Sequence, residues 1–244
     1  MERNLDFLKG RIIAHRGYHD KTIGIPENSM TAFKRAVEND YIIELDVHIL
    51  KDGEIVVFHD DDLNRMTGEK GKLKHFSYDE IKDIKLSNSE ECIPRFIDVL
   101  KLVDGRVPII IELKYDVTNH SLEEKLMEIL KDYKGKYAIK SFNPNIVLYF
   151  KKNYPEVIRG QLASDFKTSK MTFIRKYILK NMLFNVVTKP DFISYDVRAL
   201  PNKKVEKIRN TLPILVWTIK TKEELEKAKK YGDNFICENI DKIV

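Results

Sequence analysis

Short β-branched runs recur along the whole chain: Ile12–Ala14, Ile42–Val47, Ile55–Phe58, Ile109–Leu113, Tyr137–Ser141, Val157–Leu162, Phe192–Tyr195, Ile214–Thr218 and Asn234–Cys237. Amphipathic segments separate most of them, among them Ser29–Glu38, Ser121–Asp132, Asn145–Asn153 and Thr221–Tyr231. Strands alternating with helices predict βα units around a mostly parallel sheet. Ile109-Ile110-Ile111 is apolar on both faces, as a strand covered on both sides must be. The pattern predicts one α/β domain over residues 1–244, an irregular (β/α)8 TIM-type barrel. An open doubly wound sheet would need a glycine-rich phosphate loop after its first strand, and none is there.

Nine runs are one too many for eight barrel strands. The excess lies in Leu45–Phe58, where Lys51-Asp52-Gly53 signals a turn and leaves no room for a crossover helix. Either the barrel is irregular there or one run is not a barrel strand. The polar stretch Asp61–Glu91 has little strand signal and reads as an insertion over the barrel mouth, with Ser77-Tyr78-Asp79-Glu80 as a capping box opening a short helix. In Asp165–Asn185, Lys167, Lys170, Arg175, Lys176 and Lys180 alternate with Met171, Phe173, Ile174, Tyr177, Ile178 and Leu179. That pattern suits an outer barrel helix with a solvated face, the expectation adopted here, or a basic helix that touches a membrane.

Composition narrows the function classes. Lys and Arg number 43 against 38 Asp and Glu, a net charge of +5 with both signs mixed. No long basic block tracks a nucleic-acid backbone, so no nucleic-acid partner is expected. Cys92 and Cys237 form no CxxC pair, which argues against a disulfide framework or a thiolate zinc site. The first residues carry Glu2, Arg3, Asp6 and Lys9 and no apolar targeting core. The longest apolar run, Ile146–Phe150, is far short of the ~20 residues of a membrane span. A cytoplasmic protein without stable membrane insertion is expected.

The candidate chemistry sits where strands end, as in βα barrels. His15-Arg16-Gly17 follows the first run, and His59-Asp60 the third. Glu44 and Asp46 lie two apart on the second, as do Glu112 and Lys114 at the end of the fourth, so each pair faces one way. Three such carboxylates repel one another unless positive charge lies between them. A hard cation such as Mg²⁺ or Ca²⁺ fits an oxygen donor set, and zinc fits it less well. Pairing with Arg16, Lys114 or Arg198 is the plainer alternative. His15 and His59 titrate near neutrality and suit proton transfer on two sides of a phosphate ester. Arg16 and Lys114 suit its oxygens. His19, His48, His75 and His120 read as structural.

Ala14-His15-Arg16-Gly17, Pro26-Glu27-Asn28-Ser29, Glu44-Leu45-Asp46-Val47, Lys51-Asp52-Gly53, His59-Asp60, Leu63-Asn64-Arg65, Ile111-Glu112-Leu113-Lys114, Ser141-Phe142 and Val216-Trp217-Thr218 resemble, in this order, the glycerophosphodiester phosphodiesterase family. The resemblance covers residue 11 to the C-terminus. It implies a TIM-type barrel that hydrolyses glycerophosphodiesters to glycerol 3-phosphate and an alcohol, with Mg²⁺ or Ca²⁺ as cofactor. It makes Glu44, Asp46 and Glu112 metal ligands and His15 and His59 an acid/base pair, with His15 the base. It puts Arg16 and Lys114 on phosphate, Glu27 and Asn28 on a ligand or metal-bound water, and Phe142 and Trp217 against the glycerol. The chain departs from the family's pattern at Ser29, where Thr is common, at Arg95, and at Glu238-Asn239, where a Thr-Asp pair is usual. Two other activities stay in view: a lysophospholipid-directed phosphodiesterase of the same superfamily, and a barrel glycosidase using Glu44 and Glu112 as paired carboxylates.

Overall fold

The computed structural model describes residues 4–114, 119–167 and 171–243; Glu2, Arg3 and Lys170, named above, lie outside them. Among the described residues, nine strands form where the β-branched runs are: β1 (Ile13–His15), β2 (Ile42–Ile49), β3 (Ile55–Val57), β4 (Ile109–Leu113), β5 (Tyr137–Ser141), β6 (Arg159–Ala163), β7 (Phe192–Asp196), β8 (Ile214–Ile219) and β9 (Asn234–Cys237). Helices alternate with them, and the fold class is α/β of the TIM type. The chain divides into two compact units, Ile13–Tyr137 and Met1–Ile12 with Ala138–Val244.

In the first unit β2 is the organising strand. It pairs in parallel with β1 on one edge, Ile13 facing Ile42, and with β4 on the other, Ile43 facing Ile109. Beyond Glu44 the edge that β1 leaves is taken by β3, which runs antiparallel with Val57 opposite Val47. The ninth run is therefore a hairpin partner of β2 and not a barrel strand. The turn at Lys51-Asp52-Gly53 dictates this, since Gly53 adopts a left-handed φ of 84° and donates its N–H to the Leu50 carbonyl. Ser29 opens the helix Met30–Glu38: its Oγ accepts the Ala32 N–H at 3.2 Å and donates to the Pro26 carbonyl at 2.8 Å.

The stretch after β3 builds a core of its own. Phe58, Leu63, Met66, Leu73, Ile81 and Leu86 are buried together with Val56, Leu50 and Ile93. Short helical turns frame it, at Asn64–Thr67, Leu73–His75 and Tyr78–Ile81. The Glu80 carboxylate accepts the Ser77 N–H at 2.7 Å, as the capping-box pattern leads one to expect.

In the second unit β5 to β9 run parallel in sequence order. Asn234 at the start of β9 donates to the carbonyls of Leu8 and Arg11, which fixes the N-terminal segment of this unit. The stretch Asp165–Asn185 departs from expectation. It contains a helix at Phe173–Lys180, but no residue of that helix is buried, whereas an outer barrel helix hides its apolar stripe. Ile178 and Leu179 of the helix are half-buried, while Phe173, Ile174 and Tyr177 are exposed, and the buried anchors come after it, at Met182 and Thr188.

Leu63 is fully buried, and its truncation tests the separate core after β3. Leu63→Ala should cost about 2–5 kcal/mol in urea unfolding. A loss under about 1 kcal/mol is incompatible with that packing.

Candidate active site

The strand register assembles the site from the backbone upward. His15 is the parallel partner of Glu44, and Asp46 is the partner of Glu112. Glu44 and Asp46, two residues apart, share a face of β2. Oxygens of Glu44, Asp46 and Glu112 consequently lie within 4.8 Å of one another, and all three residues are buried. Lys114, just past β4, places Nζ 2.8 Å from Asp46 Oδ1 and 2.5 Å from Glu112 Oε1. Arg16 has a left-handed φ of 55°, uncommon for a non-glycine residue. This turn directs its backbone N–H to Glu44 Oε2 at 3.1 Å, its Nη1 to Glu27 Oε1 at 2.6 Å and its Nε to within 3.4 Å of Asp46. Gly17, at φ 78°, follows because any side chain there would strike Ala32 at 2.9 Å.

A second ring of contacts holds the first. Asn28 donates Nδ2–H to Asp46 Oδ2 at 2.9 Å and its backbone N–H to the Arg16 carbonyl. Glu27 accepts from both Arg16 and Arg65, the latter at 2.6 Å from Nη2 and 3.1 Å from Nη1. Arg65 also pairs through Nε with Asp60. The other Asp60 oxygen lies 2.6 Å from His59 Nδ1, so a proton on Nδ1 is held there and Nε2 is left for chemistry. His48 Nε2 approaches the His59 carbonyl at 3.3 Å, a positioning contact consistent with its structural reading.

Buried charge shapes the protonation states. Burial opposes ionisation of Asp46, but Lys114 and Arg16 outweigh it and hold the carboxyl well below the usual range. Burial likewise opposes the Glu27 carboxylate, yet the hydrogen bonds and charges of Arg65 and Arg16 bring it down to about 2. Lys114 is raised, because Asp46 and Glu112 overcome its own desolvation. His59 is lowered by burial first and by Lys114 second, so it rests neutral near pH 7.

All nine candidate residues of this unit meet in the one network: His15, Arg16, Glu27, Asn28, Glu44, Asp46, His59, Glu112 and Lys114. His15 Nε2 lies 3.9 Å from Glu44 Oε2. Arg16 and Lys114 do pair with the acids, whereas Arg198 pairs with Asp196 in the second unit. Phe142 and Trp217 also belong to the second unit, where their rings meet edge to face at 5.7 Å. Arg65 and Asp60 were quoted above only as parts of motifs. Their signal is five-residue spacing across a turn, which no strand or helix period exposes.

The donor set fits a hard divalent cation. It is all oxygen, with three buried carboxylates. The Asn28 side-chain carbonyl, on the residue that grips Asp46, is buried without a hydrogen-bond partner. Such an orphaned oxygen is costly unless something positive or a donor reaches it.

Glu27 carries the first test of this network. Its lowered pKa means that the folded state gains stability above the ordinary carboxyl range and loses it as pH falls towards 2. Glu27→Gln should lower the unfolding free energy by about 3 kcal/mol at pH 7. In urea titrations the gap to wild type should shrink steadily below about pH 4.5. A gap that stays constant with pH would remove the ion-pair account.

The chain matches the profile of the glycerophosphoryl diester phosphodiesterase family over residues 15–241. It is 31% identical to a glycerophosphodiester phosphodiesterase of Caldanaerobacter subterraneus subsp. tengcongensis, across 97% of both chains. A lysophospholipase D of Rattus norvegicus is 33% identical over 56% of this chain and 46% of its own. Among solved structures, an Oleispira antarctica phosphodiesterase in complex with the product sn-glycerol-3-phosphate superposes with a TM-score of 0.78 at 21% identity, covering 95% of this chain and 93% of the other. With its fold, its motifs in order and this match over nearly all its length, the chain belongs to the glycerophosphoryl diester phosphodiesterase family.

Proposed function

We propose that the protein hydrolyses small glycerophosphodiesters to glycerol 3-phosphate and an alcohol, with a divalent cation and histidine acid/base catalysis. The observation that carries this reading is the convergence of Glu44, Asp46 and Glu112 within 4.8 Å beside two histidines and two half-buried cations. Phosphoryl transfer needs little covalent help and much charge stabilisation, and these residues supply charge of both signs. Glu44, Asp46 and Glu112 are the residues to hold Mg²⁺ or Ca²⁺. When bound, the cation offsets the negative charge that builds on the phosphoryl oxygens. Arg16 and Lys114 orient the same oxygens from the protein side.

The histidines divide the protons. One takes the proton of the attacking hydroxyl, from water or from the neighbouring glycerol oxygen, and the other protonates the departing alcohol. The family resemblance gives the base role to His15. The side-chain environment argues for His59, which rests neutral with Nδ1 held by Asp60 and so begins the cycle able to accept a proton at Nε2. A glycosidase built on Glu44 and Glu112 would leave both histidines and Arg16 idle and would work in a chelator.

Release of glycerol 3-phosphate from glycerophosphocholine tests the reading. EDTA should abolish it and Mg²⁺ or Ca²⁺ should restore it. His15→Ala and His59→Ala should each lose at least ~10²-fold in kcat. Full activity in EDTA, or near-normal turnover in both variants, would sink it. Faster turnover of lysophosphatidylcholine than of glycerophosphocholine would shift the substrate to lysophospholipids.

The two assignments of the base separate by pH profile. Asp60 favours the charged form of His59, so Asp60→Asn should lower the His59 pKa further. With His59 as base, the acid limb of kcat/KM moves to lower pH, because that limb marks loss of the neutral imidazole in the free enzyme. Movement of the alkaline limb instead assigns the acid to His59.

A further inference from the structure

The segment between Asp165 and Asp191 is unlike the rest of the chain. From Phe166 to Pro190 there is no Asp or Glu, while Lys167, Lys170, Arg175, Lys176, Lys180 and Lys189 are basic. That excess is larger than the +5 of the whole protein, so the remainder of the chain is close to neutral. The same segment holds the large apolar side chains most open to solvent. Phe173 is 82% exposed, Ile174 73% and Val186 80%, with Tyr177, Phe184 and Val187 also exposed.

These side chains are not loose ends awaiting a place in the core. Phe173, Ile174 and Tyr177 share one face of the helix Phe173–Lys180, being one and four residues apart. The next helical turn, Asn185–Thr188, is tied from below. Lys151 Nζ donates to the Val187 carbonyl, while within the turn Thr188 Oγ donates to the Phe184 carbonyl at 3.1 Å. Lys204 Nζ reaches Asn181 Oδ1 at 2.5 Å. Met182 and Thr188 take the buried positions. The ties hold the backbone down while the apolar face points out. An ordered apolar patch of this kind marks a contact site and not a failure of packing.

We infer that the Phe173–Val187 face is a peripheral docking surface for an anionic lipid bilayer. Aromatic and aliphatic side chains interspersed with Lys and Arg along the segment are the composition of a helix that lies in the headgroup region. Negatively charged headgroups complement a surface that carries no carboxylate of its own from Phe166 to Pro190. Asp165 pairs with Lys167 at 2.9 Å, yet the segment keeps a net positive charge, so a second copy of the chain fits worse: face-to-face pairing would oppose two surfaces of net positive charge. A nucleic acid would match the charge but leave Ile174, Val186 and Val187 facing water. The helix has eight residues, and no helix among the described residues is long and apolar enough to cross a membrane. Docking is thus shallow and reversible. This surface adds to the hydrolytic reading and does not depend on it.

Sedimentation of the full-length protein with sucrose-loaded vesicles tests the inference. The protein should pellet with an equimolar mixture of phosphatidylcholine and phosphatidylglycerol and stay in solution with phosphatidylcholine alone. Added salt should weaken the binding, because the charges are exposed. A Phe173→Ser, Ile174→Ser, Tyr177→Ser variant should partition at least about tenfold more weakly. So should a Lys176→Glu, Lys180→Glu variant. Circular dichroism and the urea midpoint should match wild type in both, as the replaced residues support no core. Wild-type protein that ignores the mixed vesicles overturns the proposal. So does partitioning that survives the apolar substitutions. A dimer on gel filtration that the apolar variant dissolves, without vesicle binding by wild type, would make a second copy the occupant. Capture by duplex DNA that persists in the apolar variant would point to nucleic acid.

Discussion

Everything in the site depends on crowding carboxyl groups inside a protein, where an ion loses several kcal/mol of hydration. Glu27, Glu44, Asp46 and Glu112 are all buried. Facing them are Arg16, Lys114 and, partly exposed, Arg65. With Asp60, which shares Arg65, five acids face three strong bases and leave the cluster short of positive charge before any phosphate arrives. A divalent cation would correct that shortage, which is the charge argument for the proposed cofactor. The same arithmetic explains why Lys114 can lie between Asp46 and Glu112 without making a cation superfluous.

The strain of this arrangement is taken up by the backbone. Arg16 and Asn28 both adopt left-handed φ values of 55°, and they touch each other through the Asn28 N–H and the Arg16 carbonyl. Such conformations persist only where the surroundings over-determine them. Here Glu44, Glu27 and Asp46 each grip one of the two residues. The short β3 completes the frame. By running antiparallel on β2 it carries the chain back beside Asp46, whose carbonyl accepts the Phe58 N–H, and delivers His59 next. A regular barrel strand at this point would have carried the chain away from Asp46.

Much of this was legible in the sequence because it rests on short periods. The alternation of β-branched runs with amphipathic segments disclosed the fold, and the two-residue spacing of Glu44 and Asp46 and of Glu112 and Lys114 disclosed the shared faces. The excess strand near Lys51-Asp52-Gly53 was visible as a turn too tight for a crossover. Arg65 was not legible as a site residue. Its partners, Glu27 and Asp60, are 38 and 5 positions away, and only the folding of the stretch after β3 unites them. That stretch is not a mere surface excursion, since Leu63 and Met66 root it in a core and fix where Arg65 emerges.

The helix Phe173–Lys180 shows the opposite limit. Its periodicity is correct for an amphipathic helix, but periodicity names two faces without saying which one is covered. In ordinary globular helices the apolar face turns inward because water is the only alternative. That inference holds only while the aqueous phase is the sole surroundings. Here Phe173, Ile174 and Tyr177 are outside, basic residues are interspersed with them along the segment, and the backbone nearby is anchored by Met182, Thr188 and the Lys151 and Lys204 ties. A segment anchored so firmly with its apolar side outward is arranged for surroundings other than water, and the absence of acids from Phe166 to Pro190 gives those surroundings a negative sign.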